Sequence, residues 1–206
     1  MDETFDEKSY RLPAERYEEL NKILSIYVGT KNYHNFTIRK EPNDPSCRRY
    51  IMSFECPEPF VPENTEVEFA RLKVKGQSFM MHQIRRMVGL VVATMRGHVE
   101  PFVIAHALEK EKFPVPQAPG LGLVLEKTHY DRYNKRYGND HAKIDFSSSE
   151  PQIEKFFHEN IMSNIIATEL KERPMLGWVK GLRHHSFTEV PDPEKEGKDE
   201  SGNVSD

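Results

Sequence analysis

The sequence predicts an α+β fold in which helices pack on an antiparallel sheet. Two runs, RRYIMSFEC at 48–56 and VEFARLKVK at 67–75, alternate apolar and polar residues as half-buried strands do. They are neighbours in the chain and lead into the stretch 78–97. There Met80, Ile84, Met87, Val88, Val91, Val92 and Met95 recur at helical spacing. Further helical patterns stand near both ends of the chain.

Taken in order, residues 1–12 are a charged lead-in. Pro13 opens the first turn of a helix with Leu20, Ile23, Leu24 and Tyr27 on one face and Gly29 as its stop. GTKNYHNFTIRK, at 29–40, reads as a polar loop in which Lys31, Arg39 and Lys40 are interleaved with Tyr33, His34 and Phe36. Such a loop either stacks on bases and holds phosphates, or anchors itself to a core through its aromatics. PNDPS is a turn, and the proline-rich PEPFVPENT links the two strands. Phe69, Leu72 and Val74 fall out of phase, so a bulge is expected in the second strand.

Gly76 ends that strand, and Ser78 is expected to cap the central helix. On this helix Arg85 falls at the margin of the apolar arc beside Val92, while Arg86 points away with Gln83 and Ala93. A guanidinium at the edge of a buried face needs an anionic partner, because burying a lone charge is costly. Nothing within a helical turn supplies one. Met80, Met81, Met87 and Met95 read as core fill, and His82 as a packed histidine. Residues 100–110 form a shorter helix, 113–122 a loop with three prolines, and LVLEKTH at 123–129 a third strand. Residues 131–149 read as polar and irregular. A last helix starts at Ser149 or Glu150, carries Ile153, Phe156, Phe157 and Ile161 on one face, and breaks near Met162. Three strands are few for a self-sufficient sheet, because exposed edges seek partners.

Composition bounds the function. Hydrophobic content is 37% and charged content 30%, so the core is expected to occupy only part of the chain. Net charge is -4, but the first 20 residues hold seven acids against three bases and residues 191–206 six against two. The body between is therefore net basic, which suits an RNA partner. Two cysteines, Cys47 and Cys56, build no disulfide framework, and the nine histidines show no zinc-site spacing. No apolar run is long enough to span a membrane and no signal peptide is visible, so a soluble intracellular protein is expected. The stretch after Val190 is acidic and poor in apolar residues, and is expected to be disordered.

Five stretches together carry a resemblance: GTKNYHNFT at 29–37, RRYIMSFECPEPFV at 48–61, KVKGQSFMMHQIRRMVGLVV at 73–92, APGLGLVLEKTHY at 118–130, and Tyr-Asn-x-Arg-Tyr-Gly-Asn at 133–139. Over residues 10–190 the chain resembles the carboxy-terminal half of the eukaryotic branch of the tRNA pseudouridine synthase A (TruA) family. The resemblance implies a pseudouridine synthase-like half domain at 13–140, a helical extension at 141–190 and an acidic tail at 191–206. It implies isomerisation of uridine in RNA without cofactor or metal, through attack by an aspartate on a flipped nucleoside. Arg85 matches the arginine that pairs with that aspartate. Phe79 and Leu123 match apolar positions near the pocket, and Lys75, Arg86, Lys31 and Arg39 match phosphate contacts. Asn35, Phe36 and His82 complete the expected RNA-binding set.

The aspartate itself is expected elsewhere. Family members carry it in an Arg-Thr-Asp-like loop, and no such stretch occurs in this sequence; Asp131, Asp140 and Asp145 lie in other contexts. The chain is therefore expected to be inactive alone, with tRNA, other RNA and a complementary amino-terminal half as partners. The family implies the nucleus, or else the mitochondrion. Two other readings stay open at this point: an RNA-binding module without chemistry, and a fragment that pairs through an open sheet edge.

Overall fold

A computed structural model describes residues 6–187 and 190, so the acidic tail at 191–206 lies outside the described residues. The chain forms two compact units, one made by the chain up to Ala118 and rejoined at Leu182, the other by Pro119–Gly181.

The first unit is the α+β part. Helix α1 (Ala14–Ser25) follows Pro13 and buries Leu20, Ile23 and Leu24. Three strands follow: β1 (Gly29–Asn32), β2 (Arg48–Glu55) and β3 (Lys73–Gly76), antiparallel in the order β1-β2-β3. Both β1 and β3 are edges. The expected strand at 67–75 is shorter than its alternation suggested. Only Lys73–Gly76 joins the ladder, and Phe69 makes an isolated antiparallel bridge to Phe60. The bulge falls in β2, between Ile51 and Ser53, and not in the 67–75 run where it was expected.

Two strand expectations are corrected. The stretch 29–40, read as a loop, opens with β1, then a tight 3-10 turn over His34–Phe36. Four polar residues give no alternation to read; the strand exists because it pairs with β2, Gly29 opposite Ile51 and Lys31 opposite Arg49. Conversely, 123–129 forms no strand, and Leu125 is 80% exposed. Its alternation has no neighbouring strand to pair with, and an unpaired strand has no ladder to hold it.

Helix α2 (Gln83–Met95) packs on the sheet together with α3 (Phe102–Ala107). The core joins Leu24 and Tyr27 from the α1 end, Tyr33 and Phe36 from the turn, Ile51 and Phe54 from β2, Met87, Leu90 and Val91 from α2, and Ile104 from α3. Tyr27, Tyr33 and Phe36 are fully buried. Each such side chain contributes about 1.5–3 kcal/mol of transfer free energy as an upper estimate. Asn21 ties α1 to the end of β2: its amide oxygen accepts from Cys56 N at 2.9 Å and its amide nitrogen donates to Cys56 O at 3.3 Å. Cys47 and Cys56 are free and buried.

The second unit is helical among its described elements. Its first helix, α4 (Asp131–Tyr137), lies in a stretch expected to be irregular. The Asn134 side chain brackets Ile144, donating to its carbonyl at 2.8 Å and accepting from its amide at 2.9 Å, and so closes the loop that follows. Helix α5 (Glu150–Phe156) runs through a π-helical turn (Phe157–Met162) into α6 (Ser163–Glu172). The expected break near Met162 is thus a widened turn and not an interruption. Arg173 leaves α6 in the left-handed region, and Glu169 then accepts from Met175 N and Leu176 N at the start of α7 (Pro174–Gly181). No described helix is long and apolar enough to cross a membrane.

Candidate functional site

The β3–α2 connection sets the site. Gly76 allows the Phe79 ring to lie against it, since a Cβ there would stand 2.8 Å from the ring tip. The helix does not start at Ser78. His82 takes a left-handed conformation with φ 63°, and Gln83 then receives Met80 N on its side-chain oxygen at 2.9 Å. That bond ties the connection to the first residue of the helix, while the N-cap position, His82, makes no side-chain cap. Ser78 instead accepts from Arg49 Nη1 at 2.7 Å. Thr37 donates to Met81 O at 2.9 Å and holds the connection against the turn after β1. Met81 is 63% exposed, which removes it from the expected core fill.

The buried side of α2 is turned from the expected arc toward Arg86. Gln83, Met87, Leu90, Ala93 and Thr94 are buried, whereas Ile84, Val88 and Val92 are only half-buried. The cause is a strap, residues 113–118, that crosses the flank expected to face solvent. Gly89 makes the crossing possible, because a Cβ there would stand 2.1 Å from Pro116 O.

Arg85 lies at the margin of this buried side. Its Nε donates to Ala118 O at 2.7 Å, and its own backbone carbonyl accepts from Ala118 N at 3.1 Å. With the Gln117 amide oxygen turned toward it, that oxygen accepts from Nη1 at 3.1 Å and Nη2 at 3.2 Å. All these acceptors are neutral. Among the described residues no carboxylate pairs with Arg85. The guanidinium is fixed in direction with its positive charge uncompensated, so a carboxylate brought up to it would be stabilised in its ionised form.

Arg86 does not point away to solvent. It donates from Nη1 to Asn35 O at 3.0 Å, and its buried Nε bonds to nothing. Burial pushes this guanidinium below its ordinary pKa. It lines a cavity of about 360 Å³ with His34, Asn35, Thr37, Lys40, Lys112, Phe113 and Pro114. His34 is 4% exposed, and neither ring nitrogen has a hydrogen-bond partner. Burial pushes its imidazole down; the Glu111 carbonyl offsets this in part without reaching hydrogen-bond geometry.

The other expected site residues divide into two groups. Phe36 is a core residue, its ring edge-on to Tyr27 and tilted against Tyr33. Asn35 is a buried brace, donating to Ala107 O at 3.0 Å and Glu111 O at 2.8 Å and accepting from Phe113 N at 3.0 Å. Neither side chain is open to an RNA in this conformation. Lys31, opposite Arg49 in the ladder, and Lys75, opposite Ser53, are half-buried on the sheet. Like charges directly opposite disfavour a sheet unless an anion lies near. Tyr50 and Met52 are exposed on β2, on the face opposite that of Lys31 and Arg49. His82 and Phe79 are half-buried, and Arg39 is exposed in a left-handed conformation. Leu123 belongs to the Pro119–Gly181 unit and is half exposed. Missed in the sequence were Gln117, Ala118 and Lys112; His34 stands out there only as one of the aromatics of the 29–40 loop. The one available signal was the proline spacing of FPVPQAP, which favours an extended, stiff segment.

The family model described as tRNA pseudouridine synthase matches residues 23–131, which hold the sheet, α2 and the strap. Proteins named pseudouridylate synthase 1 homolog from Mus musculus and Homo sapiens are each 48% identical over 189 residues, 91% of this chain and 44% of theirs. A tRNA pseudouridine synthase 1 from Yarrowia lipolytica is 39% identical over 165 residues, 79% of this chain and 31% of its own. The chain thus spans less than half the length of the curated relatives it matches. More than half of its residues match one family model, and the arginine-bearing helix lies inside the matched range. The chain belongs to the tRNA pseudouridine synthase family.

Proposed function

We infer that this chain supplies the arginine-bearing half of a pseudouridine synthase cleft, corresponding to the carboxy-terminal half of the longer relatives. It completes an active site only with an aspartate-bearing amino-terminal half, and alone it does not turn over. The carrying observation is Arg85, held half-buried by Gln117 and Ala118 with no carboxylate paired to it among the described residues. In the assembled cleft Arg85 keeps the incoming aspartate ionised and oriented as nucleophile. In the reaction the N1–C1′ bond of uridine breaks and a C5–C1′ bond forms. C5 then loses its proton and N1 gains one, so atoms balance without an oxidant, metal or nucleotide.

The RNA partner is tRNA, with other RNA as a further substrate class. Support comes from Lys75, opposite Ser53 on the sheet face that exposes Tyr50 and Met52, a cation beside flat and soft surfaces suited to a single strand; Lys31 and Arg49 stand on the other face, with Ile51. Phe79, His82 and Arg39 are assigned to RNA contacts of the first unit, and Leu123 to an RNA contact of its own unit. The family's compartments, nucleus and then mitochondrion, are part of this reading and are tested by fractionation. The decisive experiment uses tRNA tritiated at uridine C5. The chain alone is expected to release no tritium, and the chain mixed with an aspartate-bearing half is expected to release it. Release by the chain alone would overturn the reading.

A further inference from the structure

We propose that His185 is a positioning residue for Arg85, acting from the returning chain through the strap at 113–118; this rests on the reading of Arg85 given above. The chain leaves the first unit at Ala118, the residue that receives Arg85 Nε, and comes back to it at Leu182. Leu182 is 3% exposed and opens a 3-10 turn (Leu182–His184), after which His185 donates its backbone amide to Leu182 O at 3.0 Å. The His185 ring then reaches Pro114, with Nε2 3.0 Å from the carbonyl oxygen. A carbonyl only accepts, so this nitrogen carries a proton and donates. The same ring lies against Phe187, 4.6 Å between centroids, and Phe187 stacks on His98, beyond the end of α2, at 6.4 Å. Arg183 and His184 are exposed and bonded to each other, so the contact with the strap falls to His185.

The composition of the strap makes this contact matter. Pro114 and Pro116 bring no N–H, so hydrogen bonds can hold them only through their carbonyls. The two ends are tied: Phe113 N donates to Asn35 Oδ1 at 3.0 Å, and Ala118 exchanges two bonds with Arg85. Among the described residues, one hydrogen bond reaches the stretch 114–116 between them, and His185 makes it. Proline fixes φ, so the segment is stiff, and a shift at Pro114 is carried on to Gln117 and Ala118 instead of being absorbed. Those two residues supply the acceptors that aim the guanidinium. Small displacements of an aimed group are costly in rate, because the reacting partner must meet it in one geometry.

The test compares His185→Ala and His185→Gln in the 206-residue chain by two readouts. The first is hydrogen exchange of the Arg85 Nε–H, followed by nitrogen-15 NMR on the chain alone. The second is single-turnover uridine isomerisation with the aspartate-bearing half at saturating tRNA. His185→Ala is expected to speed the exchange and to slow the reaction about 3–10-fold, the rate equivalent of one hydrogen bond, with RNA affinity unchanged within about twofold. His185→Gln, whose amide can still donate to Pro114 O, is expected to restore both. A lowered melting temperature with the Arg85 exchange unmoved overturns the proposal, makes His185 a structural residue only, and leaves the reading of Arg85 intact. Faster exchange with an unmoved rate, where Arg85→Gln still slows the reaction, overturns it as well. An unmoved rate for Arg85→Gln in the same assay overturns the reading of Arg85 and the proposal together.

Discussion

At Gly89 a single methyl is too much. An ideal Cβ would lie 2.1 Å from Pro116 O and 2.8 Å from its carbonyl carbon, both backbone atoms that cannot swing aside. Gly89→Ala is expected to lose about 1–3 kcal/mol, read as a shift in urea midpoint at unchanged slope. Because the same strap carries the acceptors of Arg85, the variant is also expected to loosen the Arg85 Nε–H against hydrogen exchange. Tyr27 and Tyr33 give a second residue-scale expectation. Their hydroxyls are buried, Tyr33 donating to Tyr27 O at 2.7 Å, and burial raises both phenols above the ordinary 10.0. Above pH ~10 the unfolded chain releases these protons and the folded chain keeps them. Their contribution is complete below that pH, and stability falls as pH rises past it. Phenolate ultraviolet absorbance at the two positions, isolated by Tyr→Phe variants, should appear only together with unfolding. At this scale the sequence showed that Arg85 sits at the margin of a buried arc. It did not show the partners, because they lie 33 residues further on in a coil with no periodicity.

Among elements, α1, the β2–β3 pair and α2 follow from periodicity, because each has one face in the core. The rest fails for a common reason: its partner is remote. Strand β1 has only four residues and is fixed by β2. The arc of α2 is turned because residues 113–118 cross the helix at Gly89 and bond to Arg85, which no wheel drawn on the helix alone can show. The 3-10 turn after β1 depends on Asn35, whose side chain reaches Ala107, Glu111 and Phe113. Asn35→Ala leaves those backbone groups unpaired in a buried place, at about 1–3 kcal/mol for each group that water cannot reach. The expected outcome is a lowered melting temperature and loss of amide protection at Phe113, while α1 keeps its protection. Equal loss of protection in α1 would mean that Asn35 braces the whole unit and not this corner.

For the whole molecule, β1 and β3 are the edge strands of a three-stranded sheet, and the chain spans 44% of the length of its mammalian relatives. In the proposed cleft Arg85 is one half of an ion pair; breaking a buried pair costs about 3–5 kcal/mol, and its half-buried place sets the cost at the lower end, about 3–4 kcal/mol. The most direct measurement is therefore the single-turnover rate of uridine isomerisation in the chain combined with its aspartate-bearing half, at saturating tRNA, for Arg85 against Arg85→Gln. The expected result is a loss of roughly 10²–10³-fold with RNA affinity unchanged within about twofold, the rate equivalent of that pair energy. A rate within about twofold of the unsubstituted protein, at equal RNA affinity, would contradict the role of Arg85.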